Sequence, residues 1–412
     1  MCCTGGGPRL REKQMYLDRL LALNPGLATA AVRLHQGGET RANTYLLDID
    51  GFAANTRAIR EAADAESLTV YFMSKQFGRN PDACRAIAGA GVRAAVAVDL
   101  QCMEALERSH TAIGHVGHLV QPNRWTEDAV IAAHPEVVTV YAIEIAQRLG
   151  AAAVRAGRVQ PVLLRVVGPG DTFYFGHGGG FSSETIEASA REIDAIPGLH
   201  VVGVTTFPCL LANAGTRSID PTHNFDTLRR AADRLRAAGF EITQVNAPGT
   251  TSAKTMQTLA RGGATHVEPG NAFHGTTPLH LFDPTAPEVP AMVYVSEVSH
   301  FEGTDAYVFG AGLYIDKLLG EYQLRALCGR DETIVERVFP AEMAADGAIH
   351  YYCKLHLPAG HDVRIGDTVV FCFRPQSFVT RGRTQAVFGV RAGTPTPGQV
   401  FDIEARPVEG VS

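Results

Sequence analysis

The sequence predicts an α/β chain in which a (β/α)8 barrel of the TIM type is followed by a smaller C-terminal β domain. Three observations predict it. Eight short apolar runs recur between Thr69 and Glu268, and most are separated by Ala-rich helical stretches such as Cys102–Arg108, Glu144–Ala156, Ser183–Ile196 and Asn224–Ala238. Strands that alternate with helices pair in parallel through right-handed crossovers, and eight of them can close a barrel. A doubly wound open sheet is the alternative. Past Pro278 the alternation stops, Pro284, Pro287 and Pro290 mark a linker, and the remaining apolar runs have few helices between them. The 412 residues, 45% hydrophobic, are enough for both units.

Residues 1–42 read as a leader and a helical segment. Met1 to Pro8 carries three glycines and no apolar core for a signal peptide, so a floppy start is expected. Leu17, Leu20, Leu21 and Leu23 suggest helix within Glu12 to Arg33, broken near Asn24-Pro25-Gly26. The barrel unit spans 43–283. Its first run, Thr44 to Ile49, is expected to pair with the C-terminal domain, and Phe52 to Ala63 is an amphipathic helix. The eight barrel strands are expected at Thr69–Met73, Val92–Asp99, His115–Pro122, Val137–Ile143, Pro161–Val167, Val201–Phe207, Ile242–Asn246 and Thr265–Glu268. In the β domain, 284–412, strands are expected at Met292–Val298, Ala306–Phe309, Ile349–Leu357 and Thr368–Phe373.

A net charge of -6 gives no reason to expect nucleic acid as a partner. No apolar run approaches the roughly 20 residues that span a bilayer. The eight cysteines form no C-x-x-C pair, which fits a reducing compartment, and a cytoplasmic location is expected.

Three stretches carry chemistry. Thr69 to Met73 delivers Lys75, one of five lysines in the chain, to the end of the first barrel strand, where such barrels keep their active sites. A desolvated lysine can act as a neutral amine and form a Schiff base, whereas arginine cannot lose its proton. Alone, Lys75 reads more readily as a side chain snorkelling out of a strand end. After the seventh strand, Ala247-Pro248-Gly249-Thr250-Thr251-Ser252 offers small residues, bared amides and hydroxyls suited to phosphate, although such turns are common. The eighth strand ends at Glu268, with Gly270 and Asn271 just beyond. A buried carboxylate needs a partner, and a protonated pyridine nitrogen would serve. Together the lysine, hydroxyl turn and carboxylate match what pyridoxal phosphate requires.

Other motifs read as weaker. His177-Gly178-Gly179-Gly180 could line a pocket, with a lid or plain loop as the simpler reading. Cys353 and His356 have no second pair, and His115 and His118 differ by three on an expected strand and so face opposite ways; no metal site is expected.

On the strand-one lysine and the Glu268-Pro269-Gly270 turn, the chain resembles the alanine racemase-like, fold-type III pyridoxal phosphate enzymes, nearest their YhfX-type branch, from about Asn43 into the C-terminal domain. The resemblance implies a barrel followed by a β domain, and a homodimer whose sites borrow residues from the partner. It implies an amino-acid racemase working by α-proton abstraction and return through a quinonoid on a small amino-acid substrate. Lys75 would be the Schiff-base lysine, and Gly249, Thr250, Thr251, Ser252, Gly270 and Asn271 would hold phosphate. Three departures stand out. Glu268 occupies the position of an arginine in the racemases, the expected tyrosine base falls at Phe309, and Arg79 follows the lysine in place of the racemase pattern. Tyr307, Tyr314 and Cys372 are the substitutes for the second base. A D-amino-acid aldolase or dehydratase on the same scaffold, and a non-catalytic pyridoxal phosphate-binding protein, remain the alternatives.

Overall fold

The computed structural model describes residues 15–310, 312–315, 324–344 and 349–409. The expected floppy start, Met1 to Pro8, lies outside the described residues. Eight parallel strands, Thr69–Met73, Ala94–Ala97, Ala112–Val116, Val137–Val140, Gln160–Val167, Leu199–Thr205, Gln244–Asn246 and His266–Val267, pair in that order. The last returns to the first through His266↔Thr69 and Val267↔Val70, so the sheet closes on itself and the open-sheet alternative falls. Short strands suffice because each is buried on both faces, as the continuous apolar runs implied.

The expected strand His115–Pro122 is displaced. The strand is Ala112–Val116, and Gly117, at a φ of +82°, turns the chain at its end. A Cβ there would stand 2.7 Å from the Thr139 carbonyl oxygen, so the turn requires glycine. His118 therefore lies beyond the strand, where period-two alternation no longer applies.

Thr44–Asp48 leaves the barrel for a second, mostly antiparallel sheet. It lies between Met292–Glu302 and Arg383–Phe388, antiparallel to the first and parallel to the second. Alternation serves two layers here: Tyr45 and Leu47 join the large core shared with the barrel, while Leu46 packs with Leu20, Leu27, Ala31 and Leu34 of the helices Tyr16–Leu23 and Pro25–Gln36. The N-terminal helices thus cover the outer face of the C-terminal sheet. Asp48 then caps the helix Ile49–Ala65 by accepting from the Gly51 amide at 3.1 Å.

The proline-rich segment 284–290 is pinned rather than slack. Arg19, fully buried, donates to the carbonyls of Pro284, Ala286 and Glu288 at 3.5, 3.3 and 3.1 Å. Asn55 brackets the Val289 backbone, donating to its oxygen and accepting from its amide at 2.8 and 2.9 Å. Four strands of the second sheet were not anticipated: Arg325–Gly329, Val338–Glu342, Arg383–Phe388 and Thr396–Asp402. The last carries Pro397 and Gly398, residues that normally argue against a strand and are tolerated at this sheet edge. Among the described residues no helix is long and apolar enough to cross a membrane.

Candidate active site

The C-terminal ends of the barrel strands surround a cavity of about 350 Å³, near the lower end for small-molecule pockets. Lys75 opens the short 3-10 turn Lys75–Phe77 directly after the first strand and lines this cavity. Gly78, at a φ of +63°, ends the turn, and the C-terminal domain clamps it: the Ser377 hydroxyl donates to the carbonyls of Lys75 and Gln76 at 3.3 and 2.8 Å. The amine sits 4.9 Å from the centre of the Phe378 ring. Burial depresses its pKa from 10.5 to about 8; Arg374 and Arg79 add to the drop, against Cys102 and Asp99. A notable fraction of this amine is therefore neutral near physiological pH.

Glu268 faces the same cavity, fully shielded from bulk solvent. One carboxylate oxygen accepts from His115 Nδ1 at 2.5 Å and from Asn246 Nδ2 at 2.7 Å. The other oxygen has no hydrogen-bond partner, nor has either ring nitrogen of His118, whose Nδ1 lies 3.5 Å away. Burial opposes ionisation of Glu268, but the hydrogen bonds donated by His115 and Asn246 outweigh it and hold the carboxyl below the ordinary range. Burial also drives His118 to about 3, so its ring is neutral beside the anion. The imidazole of His115 is fixed from behind by Thr139, 2.5 Å from Nε2.

This arrangement corrects the expectation that His115 and His118 face opposite ways. The Gly117 turn brings both to Glu268, and the three side chains have ligand atoms within 4.8 Å of one another. The 2.5 Å separation of His115 from Glu268 is a hydrogen bond. Two ligands each about 2.0–2.2 Å from a tetrahedral cation would stand well over 3 Å apart.

The turn after the seventh strand lines the cavity through Pro248, Gly249, Thr250 and Thr251. Several of its amides, expected to be bare, are engaged. The Thr250 amide donates to the Leu210 carbonyl at 3.1 Å, that of Ser252 to Thr255 Oγ1 at 2.9 Å, and that of Ala253 to a Glu288 carboxylate oxygen at 2.7 Å. Gly249 is needed because a Cβ would lie 2.6 Å from the Leu210 nitrogen. Thr250 and Thr251 bring hydroxyls to this wall, whereas Ser252, its Oγ buried and unpartnered, does not line the cavity. Gly270 and Asn271 complete that wall. A Cβ at Gly270 would meet Gln76 Oε1 at 2.6 Å, and the Asn271 side-chain oxygen accepts from Arg374 Nε at 2.9 Å.

Other predicted residues lie elsewhere. Tyr307 donates to Glu302 at 2.7 Å on the C-terminal sheet, Tyr314 is exposed, and Cys372 is buried under the N-terminal helices, its thiol pushed up by burial. None of the three lines this cavity, nor does Phe309. His177, read as a loop residue, does line it, together with Tyr174, Phe207, Thr277, Arg374 and Gln376, which sequence reasoning missed. A single barrel-loop aromatic or a strand-end arginine carries no periodic signal to mark it.

Comparison with known proteins bears on this geometry. Residues 47–278 match the alanine racemase N-terminal domain model, and residues 293–396 match the YhfX-like C-terminal domain. The chain belongs to the alanine racemase N-terminal domain family. Within that family it is 36% identical to YhfX of Escherichia coli (strain K12) over 382 residues, 92% of this chain and 96% of that one. Solved structures share the fold. A D-threonine aldolase from Filomicrobium marinum superposes with a TM-score of 0.65 at 17% identity, covering 90% of this chain and 96% of its own. The D-threo-3-hydroxyaspartate dehydratase from Delftia sp. HT23 gives 0.66 at 16%, over 87% and 97%. The alanine racemase of Clostridium difficile 630 gives 0.63 at 15%, over 88% and 99%. Alanine racemase-like family members are pyridoxal phosphate enzymes acting on small-molecule amino-acid substrates, and the solved structures share the barrel and β-domain fold found here.

Proposed function

We propose that the chain is a pyridoxal phosphate-dependent amino-acid racemase. One observation carries the reading: an amine depressed to about 8 and a carboxylate oxygen with no partner line one cavity, together with the hydroxyl residues Thr250 and Thr251, Gly249, Gly270 and Arg374. These residues fit the cofactor. Lys75 would hold its aldehyde carbon, Glu268 its ring nitrogen, and Thr250, Thr251, Ser252, Gly270 and Asn271 its phosphate, with Gly249 keeping that wall thin. When bound, pyridoxal phosphate supplies an electron sink for the substrate's α-carbon.

The chain's own residues do the rest. Lys75 Nζ, neutral in part at physiological pH, would take or deliver the α-proton on its own face of the substrate, and inversion requires a second group on the opposite face. Glu268, ionised and tied by His115 and Asn246, keeps negative charge where a pyridinium proton needs it. Phe207 and Tyr174, in contact with each other, give the cavity an aromatic patch. The cavity-lining His177 favours a second reading, a lyase acting on D-β-hydroxy amino acids, because its imidazole could take a hydroxyl proton.

The chain is further read as a cytoplasmic homodimer. Trp125, Phe175 and Val120 on the barrel and Tyr314, Tyr351 and Tyr352 on the C-terminal domain are large apolar side chains left exposed. Light scattering should give twice the 44.1 kDa chain mass.

The test is reconstitution with pyridoxal phosphate, borohydride reduction and peptide mapping, which should place the pyridoxyl group on Lys75 and not on Lys254. Single amino-acid enantiomers in deuterated water should then exchange their α-proton and lose optical purity. Release of an aldehyde or of ammonia from β-hydroxy substrates would select the lyase. A protein that takes up no cofactor would end both.

A further inference from the structure

Behind the hydroxyl wall lies a second buried network that the proposed chemistry does not use. Thr277 lines the cavity; His280 and Glu288 stand behind it, fully buried and out of reach of anything bound there. His280 Nδ1 lies 3.0 Å from the Thr277 amide and 2.8 Å from its hydroxyl. His280 Nε2 lies 3.2 Å from one Glu288 oxygen, and the other accepts from the Ala253 amide at 2.7 Å.

The donors fix the tautomer. An amide can only donate, so His280 Nδ1 is the acceptor and Nε2 carries the proton that goes to Glu288. The Thr277 hydroxyl then shares Nδ1 with its own amide. It can swing its proton to an anion in the cavity while the amide keeps the imidazole satisfied. At the far end, Glu288 holds the Ala253 amide and with it the turn that carries Thr250, Thr251 and Ser252. Arg19, bonded to the Glu288 carbonyl at 3.1 Å, fixes the segment from outside.

A buried carboxylate and imidazole cost more than apolar groups of the same volume, so burial alone gives no account of this pair. Its two ends reach two points of one wall, the Thr277 hydroxyl and the turn at Ala253.

We propose that His280 and Glu288 are positioning residues for the phosphate of the cofactor: through Thr277 and the Ala253 turn they set the hydroxyl geometry that recognises a phosphate monoester dianion. This rests on the cofactor assignment above. They touch neither cofactor nor substrate, so their effect should fall on phosphate recognition and leave the aldehyde and ring contacts intact.

The experiment compares uptake of pyridoxal phosphate with uptake of pyridoxal, which lacks the phosphate, by absorbance titration of the full chain stripped of cofactor. In His280→Phe and Glu288→Gln the preference for the phosphorylated compound should fall about tenfold, the worth of one hydrogen bond to a charged group. Affinity for pyridoxal should stay as in the wild type. Thr277→Val, which removes only the hydroxyl, should give the same selective loss, and Thr277→Val combined with His280→Phe should lose no more than the worse single change.

If the affinities for both compounds are unchanged or fall in step, the pair is merely structural and the inference is wrong. Thr277→Val supplies the ratio if a variant of the buried pair fails to fold, and an unchanged ratio there also overturns it. A wild-type chain that binds pyridoxal phosphate but shows no shift in its variants defeats this inference alone. A wild type that binds neither compound defeats the cofactor assignment as well.

Discussion

Replacing Lys75 by methionine should stabilise the cofactor-free chain near neutral pH, although it destroys the proposed anchor. The amine is ordinary in the unfolded chain, at 10.5, and depressed to about 8 in the folded one, with burial the largest cause. At 1.36 kcal/mol per tenfold change, the folded state carries a penalty of about 3 kcal/mol for the protonated amine. Part of the side chain is open to cavity water, which screens it, so a gain of ~2 kcal/mol is expected for Lys75→Met. Between these two values the unfolded chain binds more protons than the folded one, so wild-type stability rises with pH across that window. The advantage of methionine should therefore be full below about 8 and fade as pH approaches 10.5. Urea unfolding at a series of pH values measures it. A methionine variant that is less stable at pH 7, or an advantage that persists unchanged through the window, would refute the claim that burial sets the amine's pKa.

Glu268→Gln should lose stability at neutral pH because the carboxylate accepts from both His115 and Asn246. Since its folded pKa is lowered from 4.5 to about 2, the deficit should shrink as pH falls from the first value toward the second, as read by thermal melting. The same variant should lose about 100-fold in turnover if Glu268 faces the developing charge, as steady-state kinetics would show. Gly249→Ala places a methyl 2.6 Å from the Leu210 nitrogen and should cost about 2–3 kcal/mol in denaturant unfolding, because backbone cannot step aside as a side chain can. Arg19→Met abandons the carbonyls of Pro284, Ala286 and Glu288 and should cost about 3 kcal/mol. Limited proteolysis should then cut within 284–290, where the wild type resists.

The barrel was legible because its strands are buried on both faces. A run such as Thr69–Met73 has little choice, and eight such runs between helices leave few topologies. Lys75 and Glu268 were legible for a related reason: a charged residue at the end of an apolar strand stands out. His115 and His118 would face opposite ways on a strand running through Gly117, but that glycine, at positive φ, turns both rings to one carboxylate. The engagement of the amides in the hydroxyl turn is not written in its local sequence either. Their partners, Leu210 and Glu288, come from distant segments, and nothing local to Thr250 or Ala253 announces them. Arg374 and Gln376 reach the cavity from the second domain, so only the docking of that domain on the barrel reveals them.

The early strand Thr44–Asp48 has a bearing on how the molecule is made. It is synthesised before any barrel strand, yet its two neighbours in the sheet begin at Met292 and Arg383. During translation the barrel segments can leave the ribosome while this strand, with Tyr45, Leu46 and Leu47 at its centre, waits through some 240 residues of synthesis for one edge to be covered, and longer for the other. A chain stalled before residue 383 would hold a complete set of barrel strands and an uncovered strand edge, ready to pair with a sister nascent chain on the same message.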